Sequence, residues 1–110
     1  MWSIAAVAQT EVKKEYYPSG KIKLEYTLVN GKKEGIEKQY DEEDGLIFES
    51  NYKNGLMHGK HIQWSDYSNG IKYNESDYIA GKLHGIEKIY NNDGSLLRER
   101  NYVNGVIEGL

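Results

Sequence analysis

The chain is 110 residues long with a formal net charge of −3, and its 14 Lys and Arg are scattered among 17 Asp and Glu. That size fits one domain, and the scattered charge excludes a nucleic-acid module, which needs a clustered basic face to displace counterions. Cysteine is absent, which excludes disulfides, thiolate metal sites and a Cys nucleophile, and no stretch approaches the roughly 20 apolar residues of a membrane-spanning helix.

Ten Tyr stand against one Phe, and 12 Gly against one Pro, so little pure hydrocarbon is available for burial. A core built from such residues must rely on Tyr rings whose hydroxyls reach water or a partner.

Residues 1–15 form a separate N-terminal segment. Residues 1–10, Met-Trp-Ser-Ile-Ala-Ala-Val-Ala-Gln-Thr, are small and apolar, and Ala6-Val7-Ala8 fits an A-x-A cleavage pattern. The positively charged start of an export signal is missing, so a signal remnant and a frayed strand both stand as readings. Export to the periplasm or outside the cell is favoured on these residues alone, with a cytoplasmic location as the alternative.

From residue 16 onward the chain repeats itself. Gly31, Gly55, Gly81 and Gly105 are each followed four residues later by Gly35, Gly59, Gly85 and Gly109, and a third set, Gly20, Gly45, Gly70 and Gly94, falls between them. Such a period marks a repeat architecture, here four units over about 16–38, 39–62, 63–88 and 89–110. Asn30-Gly31, Asn54-Gly55 and Asn104-Gly105 are hairpin-turn dipeptides, because both residues tolerate positive φ, and Asp44-Gly45, Asn69-Gly70 and Asp93-Gly94 serve the opposite ends.

Between turns the segments alternate as strands do. Ile36, Lys38 and Tyr40 fall on one face and Glu37 and Gln39 on the other; Trp64 and Tyr90 repeat the position of Tyr40, and His61, Gln63 and Glu87 repeat the polar face. The fold class expected is all-β: an elongated antiparallel meander of tandem β-hairpins, with seven or eight short strands giving a sheet roughly 35 to 40 Å across. Helices are disfavoured, since each interior Gly costs about 1 kcal/mol.

Three columns carry the candidate chemistry. Glu25, Glu49, Glu75 and Glu99 recur six residues before the first glycine set, Leu28, Tyr52, Tyr78 and Tyr102 three before it, and Tyr40, Trp64 and Tyr90 precede the longer loops. Two carboxylates can perform acid and base catalysis at about 5 to 9 Å, but that chemistry needs two different environments, which a ladder of equivalent Glu on an open sheet does not offer. His58 and His84 share a position filled by Glu34 and Glu108 elsewhere, and His61 falls on the other strand face from His58. A polar residue beside a turn is therefore expected there rather than a metal site, and no metal or other cofactor is expected.

Neither a phosphate loop, a nucleophile elbow nor a His-Glu-x-x-His motif is present, so the chain reads as non-catalytic. Tyr and Trp give large contact area at little rotamer cost, as interfaces favour. The binding candidates are Tyr40, Trp64, Tyr67 in the variable loop 65–69, and Tyr90, with Glu49 and Glu75 from the carboxylate column. The Tyr-x-x-Gly rings are expected to be mostly core. Open sheet edges suggest self-association or an added partner strand.

The blocks Tyr40-Asp-Glu-Glu-Asp-Gly45, Tyr52-Lys-Asn-Gly-Leu-Met-His-Gly59 and Tyr102-Val-Asn-Gly-Val-Ile-Glu-Gly109 resemble the MORN-repeat-variant family, bacterial β-hairpin repeats. The resemblance covers residues 16–110 and departs from the pattern in the first unit, at Leu28 and Glu34. It implies an extended scaffold that binds another protein, with a toxin as one such partner, since some members are named as antitoxin or immunity components. The alternative it leaves is an exported surface scaffold presenting a sheet to glycans or lipid head groups.

Overall fold

The computed structural model describes Val7 and residues 9–108. The export-like stretch 1–10 lies largely outside these residues. In chain order the strands are β1 (Thr10–Tyr16), β2 (Ile22–Val29), β3 (Lys32–Lys33), β4 (Gly35–Tyr40), β5 (Leu46–Lys53), β6 (Leu56–Asp66), β7 (Ile71–Ile79), β8 (Lys82–Leu83), β9 (Gly85–Tyr90), β10 (Leu96–Val103) and β11 (Val106–Ile107). All belong to one antiparallel sheet in the order β1-β2-β4-β5-β6-β7-β9-β10-β11, with β3 on β2 and β8 on β7. Eight of these strands have six residues or more. The other three are two-residue starts after a turn, set off in β3 and β8 by Glu34 and His84.

Turn chemistry places the strands. Asn30, Asn54 and Asn104 all take φ of 51°, and the glycines after them take 79°, 83° and 81°. Positive φ at both central residues is the two-residue hairpin geometry that matches strand twist. In the third unit the same conformation falls on Ala80, φ 48°, before Gly81.

Successive turns are also tied to one another. The N–H groups of Gly55, Gly81 and Gly105 donate to the carbonyls of Lys33, Met57 and Leu83, in the hairpin before. Glu34 Oε1 accepts from the N–H of Asn54 at 3.4 Å, and His58 Nδ1 accepts from that of Ala80 at 3.4 Å. Glu34 and His58 thus anchor the next turn as acceptors, whereas His84 Nδ1, at the same position of the third unit, is buried without a hydrogen-bond partner.

The protein measures 62 × 44 × 16 Å, and all its strands belong to the one sheet, which stands as a single open layer. The largest dimension exceeds the expected 35 to 40 Å. That expectation counted strand spacing alone.

A single layer cannot enclose a hydrophobic core. Among the described residues only Leu46 and Ile62 are buried hydrophobics, and the most enclosed side chains are Ser50 and Ser76, each 2% exposed. Tyr26, Tyr52, Tyr78 and Tyr102 are half-buried rather than core. The reason is geometric: each ring has sheet beneath it and solvent above. Lys33 Nζ sits 4.8 Å and 5.0 Å from the Tyr26 and Tyr52 ring centres, and the His61 ring meets Phe48 and Tyr78 at centroid distances of 5.9 and 6.1 Å. Stability therefore comes from neighbouring side chains across strands.

Candidate functional site

Directly opposed residues in adjacent strands share a face, so the register assigns every column. Glu37 opposes Ser50, Ser50 opposes His61, and His61 opposes Ser76. This row lies on the same face as Tyr26, Tyr52 and Tyr78. The opposite face carries a row that crosses the whole sheet: Lys14, Glu25, Lys38, Glu49, Ile62, Glu75, Lys88, Glu99. Cation and anion alternate along it, as cross-strand pairing favours, except at Ile62, where a Lys stands in the neighbouring units.

Tyr40, Trp64 and Tyr90 stand on this second face, two residues beyond Lys38, Ile62 and Lys88. Each sits at an irregularity of the ladder. The register shifts between Gln39 and Tyr40, on both sides of Trp64, and between Leu96 and Arg98 opposite Tyr90. A bulge turns a side chain out of the regular alternation and bends its strand, which is how one strand end presents a ring repeatedly. The six residues singled out from the sequence, Tyr40, Trp64, Tyr67, Tyr90, Glu49 and Glu75, are gathered by this arrangement on one face and its adjoining loop.

Trp64 is the most elaborated of the rings. Tyr67 packs edge-on against it at 5.2 Å between centroids and 87° between planes, and Lys72 Nζ lies 5.7 Å from its ring centre. The Trp64 indole N–H is buried without a hydrogen-bond acceptor. Tyr67 itself opens a short 3-10 turn, Tyr67–Asn69. Asp66 caps that turn by accepting from the Asn69 backbone N–H at 3.4 Å; it also accepts from Asn69 Nδ2 at 2.7 Å and Ser68 Oγ at 2.8 Å, bonds that hold its carboxyl below the usual range.

The carboxylates do not share one environment, contrary to the ladder expectation. Glu75 accepts from Lys72 Nζ at 2.6 Å and lies 3.7 Å from Lys60 Nζ. The Lys72 hydrogen bond holds the Glu75 carboxyl below its ordinary value, although partial burial opposes this. Glu25 instead accepts from the Tyr40 hydroxyl at 3.1 Å, and burial together with that bond pushes the Tyr40 phenol up to about 12. Glu49 lies between Lys38 and Ile62. A carboxyl held ionised by an ammonium is an ion-pair partner, whereas a general acid would need its pKa raised.

The opposite face holds the nearest approach to a nucleophile and base. Ser50 Oγ and His61 Nδ1 are 2.6 Å apart, and burial pushes the His61 imidazole below its ordinary pKa. Ser50 is 2% exposed, so no substrate carbonyl can reach its oxygen. No cluster of metal-ligating side chains occurs among the described residues.

Sequence reasoning passed over Ile62 and Lys72. Ile62 could have been found by aligning the units, since it alone interrupts a Lys column. Lys72 could not, because simple alternation from Glu75 sends it to the other face; the bulge beside Trp64 returns it.

Comparison with curated proteins and with solved structures gives no match to either. The family model described as MORN repeat variant matches residues 12–30, 33–54 and 83–104, leaving the stretch with Ile62, Trp64, Tyr67 and Lys72 between its second and third matches. These matches cover more than half of the chain, so the protein belongs to the MORN repeat variant family, a non-catalytic type of repeat.

Proposed function

We propose that this chain is a non-catalytic module that binds another protein through the face bearing Tyr40, Trp64, Tyr67 and Tyr90, with Glu49 and Glu75 beside them. The observation that carries this reading is the position of the departure from the family's repeat. The unmatched stretch between residues 54 and 83 is where a Lys becomes Ile62, where bulges flank the aromatic, and where an inserted turn brings Tyr67 onto Trp64. Hairpin geometry requires none of these features.

An aromatic cluster of this kind, fixed by its own packing and ringed by charge, resembles the anchors that dominate protein interfaces. Its Trp and Tyr rings lose few rotamers on binding. A toxin neutralised by such a face is one partner of this kind, in keeping with the antitoxin naming of some family members.

Affinity capture from native lysate with three forms of the chain tests the reading. The wild type and Tyr102→Ala, which alters the opposite face, should retain one stoichiometric protein. Trp64→Ala should weaken its retention at least tenfold, the loss of about 1.4 kcal/mol or more that an interface anchor brings. Absence of a stoichiometric protein, or equal loss from both faces, would sink the proposal.

A further inference from the structure

The face that bears the aromatic rings is corrugated, and its corrugation alternates in charge. Strands β1, β4, β6 and β9 carry Lys14, Lys38, Ile62 and Lys88, and the strands beside them carry Glu25, Glu49, Glu75 and Glu99. Two residues nearer the hairpin turns, strand alternation puts a second row on the same face. There the first set of strands carries Val12, Ile36, Lys60 and Ile86, and the second set carries the shorter Thr27, Asn51, Asp77 and Asn101.

Val12, Ile36 and Ile86 stand 66%, 50% and 50% exposed. A hollow of about 250 Å³ lies over β2 between Val12 and Ile36, reaching Glu25 and Thr27. Another, of about 390 Å³, lies beside Ile86 over Glu99 and Asn101 of β10. Exposed apolar side chains thus stand as ridges on Lys-bearing strands, and hollows lie over Glu-bearing ones.

We propose that this face closes on the same face of a second copy, about a two-fold axis parallel to the strands and between β5 and β6. Such an axis keeps each row on its own counterpart. It exchanges β1 with β10, β2 with β9, β4 with β7 and β5 with β6, so every ridge of one copy faces a Glu-bearing strand of the other.

Charge selects this axis. It sets Lys14 against Glu99 of the second copy, Glu25 against Lys88 and Lys38 against Glu75, each pair occurring twice, while Glu49 meets Ile62. An axis lying along a strand brings Lys onto Lys and Glu onto Glu, and an axis running across the strands sets each charge against its own counterpart. Like charges brought together across an interface are costly. Moving the axis by one strand keeps opposite charges together but uncovers two strands of each copy.

Shape agrees with charge. Ile86 of the second copy stands opposite Thr27, at the hollow between Val12 and Ile36, and Val12 of that copy stands at the hollow over Asn101. In the same row Ile36 faces Asp77 and Lys60 faces Asn51, so like charges do not meet there either. Trp64 lies on β6 beside the axis, at the centre of the contact, where binding energy concentrates. Sheets stack face to face with strand directions within about 30° of one another, which an axis parallel to the strands provides. The face extends over 62 × 44 Å, and half of that rectangle still exceeds the ~800 Å² per partner of a standard interface.

The contact is isologous and closes at two copies. It occupies the face assigned above to a foreign protein, so the two occupants exclude each other, but it requires no foreign protein. Sedimentation of the purified 110-residue chain from micromolar to millimolar concentration should show a monomer–dimer equilibrium that levels off at the dimer. Ile86→Glu changes an exposed side chain and brings a charge to the hollow beside Glu25. It should weaken dimerisation about tenfold with an unchanged circular dichroism spectrum. Because the chain has no cysteine, single-cysteine variants report the register. A short bismaleimide should join Thr27→Cys to Ile86→Cys in a mixture of the two. Neither variant alone should be joined, since its two copies of the same position stand five strands apart, on the order of 24 Å. A chain that stays monomeric throughout, one that grows past a dimer, or a dimer in which the mixture is not joined would overturn the proposal. Each of these results leaves capture of a foreign protein through Trp64 untouched, so the two readings fail separately.

Discussion

Ala80 occupies a turn position at which every other unit has Asn. Its φ of 48° differs little from the 51° of Asn30, Asn54 and Asn104, and Gly81 follows it at 84°. In this left-handed region the Cβ of an ordinary residue crowds the following carbonyl, at a cost of roughly 1–2 kcal/mol, while Asn offsets part of that cost through local hydrogen bonds. Ala80→Asn should therefore stabilise the protein by about 1 kcal/mol, about half of the steric cost. Around the melting temperature that corresponds to a rise of about 4–8 °C for a domain near this size. The bond from the Ala80 N–H to His58 Nδ1 involves backbone alone on the Ala80 side and survives the change. Thermal unfolding followed by far-ultraviolet circular dichroism measures the shift, with Asn54→Ala as the converse variant expected to lose the same amount. The reasoning is refuted if Ala80→Asn leaves the midpoint unchanged or lowers it while Asn54→Ala lowers it.

Two further outcomes follow from the side-chain network. His58→Glu should fold with near wild-type stability, since Glu34 makes the equivalent bond to the next turn, whereas His58→Ala should cost about 0.5 kcal/mol, the low end for a net hydrogen bond, because the exposed Ala80 N–H turns to water; urea midpoints separate the two. Stability should fall in two stages on acidification. The depressed His61 pKa means that the unfolded chain takes up its proton first, so stability present above about 6.5 is lost as pH falls towards the folded value. The depressed Glu75 pKa acts in the same direction below the ordinary Glu value of 4.5. His61→Gln should remove the first stage and leave the second, which urea unfolding at a series of pH values would reveal; a first stage that persists in His61→Gln would contradict this assignment.

Much of the fold was legible because its determinants are local. Asn-Gly and Gly at fixed offsets impose positive φ whatever surrounds them, so Asn30-Gly31, Asn54-Gly55 and Asn104-Gly105 located three hairpins from sequence alone. Ala80-Gly81 did not announce itself, because Ala gains nothing from that conformation and is held there by the strands on either side. Strand alternation likewise separated Lys38 and Tyr40 from Glu37 and Gln39. It did not disclose that the polar side holds the most enclosed residues, since the burial of Ser50 and Ser76 depends on rings contributed by other strands.

The candidate site was legible as a column of aromatics and only partly as an environment. Tyr40, Trp64 and Tyr90 are visible in any alignment of the units. Which carboxylate meets which cation depends on register and bulges, and these are long-range properties. Glu75 is paired with Lys72 only because the ladder shifts beside Trp64. The expectation of four equivalent solvated carboxylates failed at that point.

Everything proposed about the two faces rests on the sheet being a single open layer. Small-angle X-ray scattering, extrapolated to infinite dilution to remove association, tests this directly. An uncovered sheet with the dimensions found here has a radius of gyration of 17.2 Å, whereas a compact chain of this length would have about 13 Å. A value near 17 Å supports two accessible faces, and a value near 13 Å would mean that the sheet folds onto itself and that the aromatic face is not free to bind.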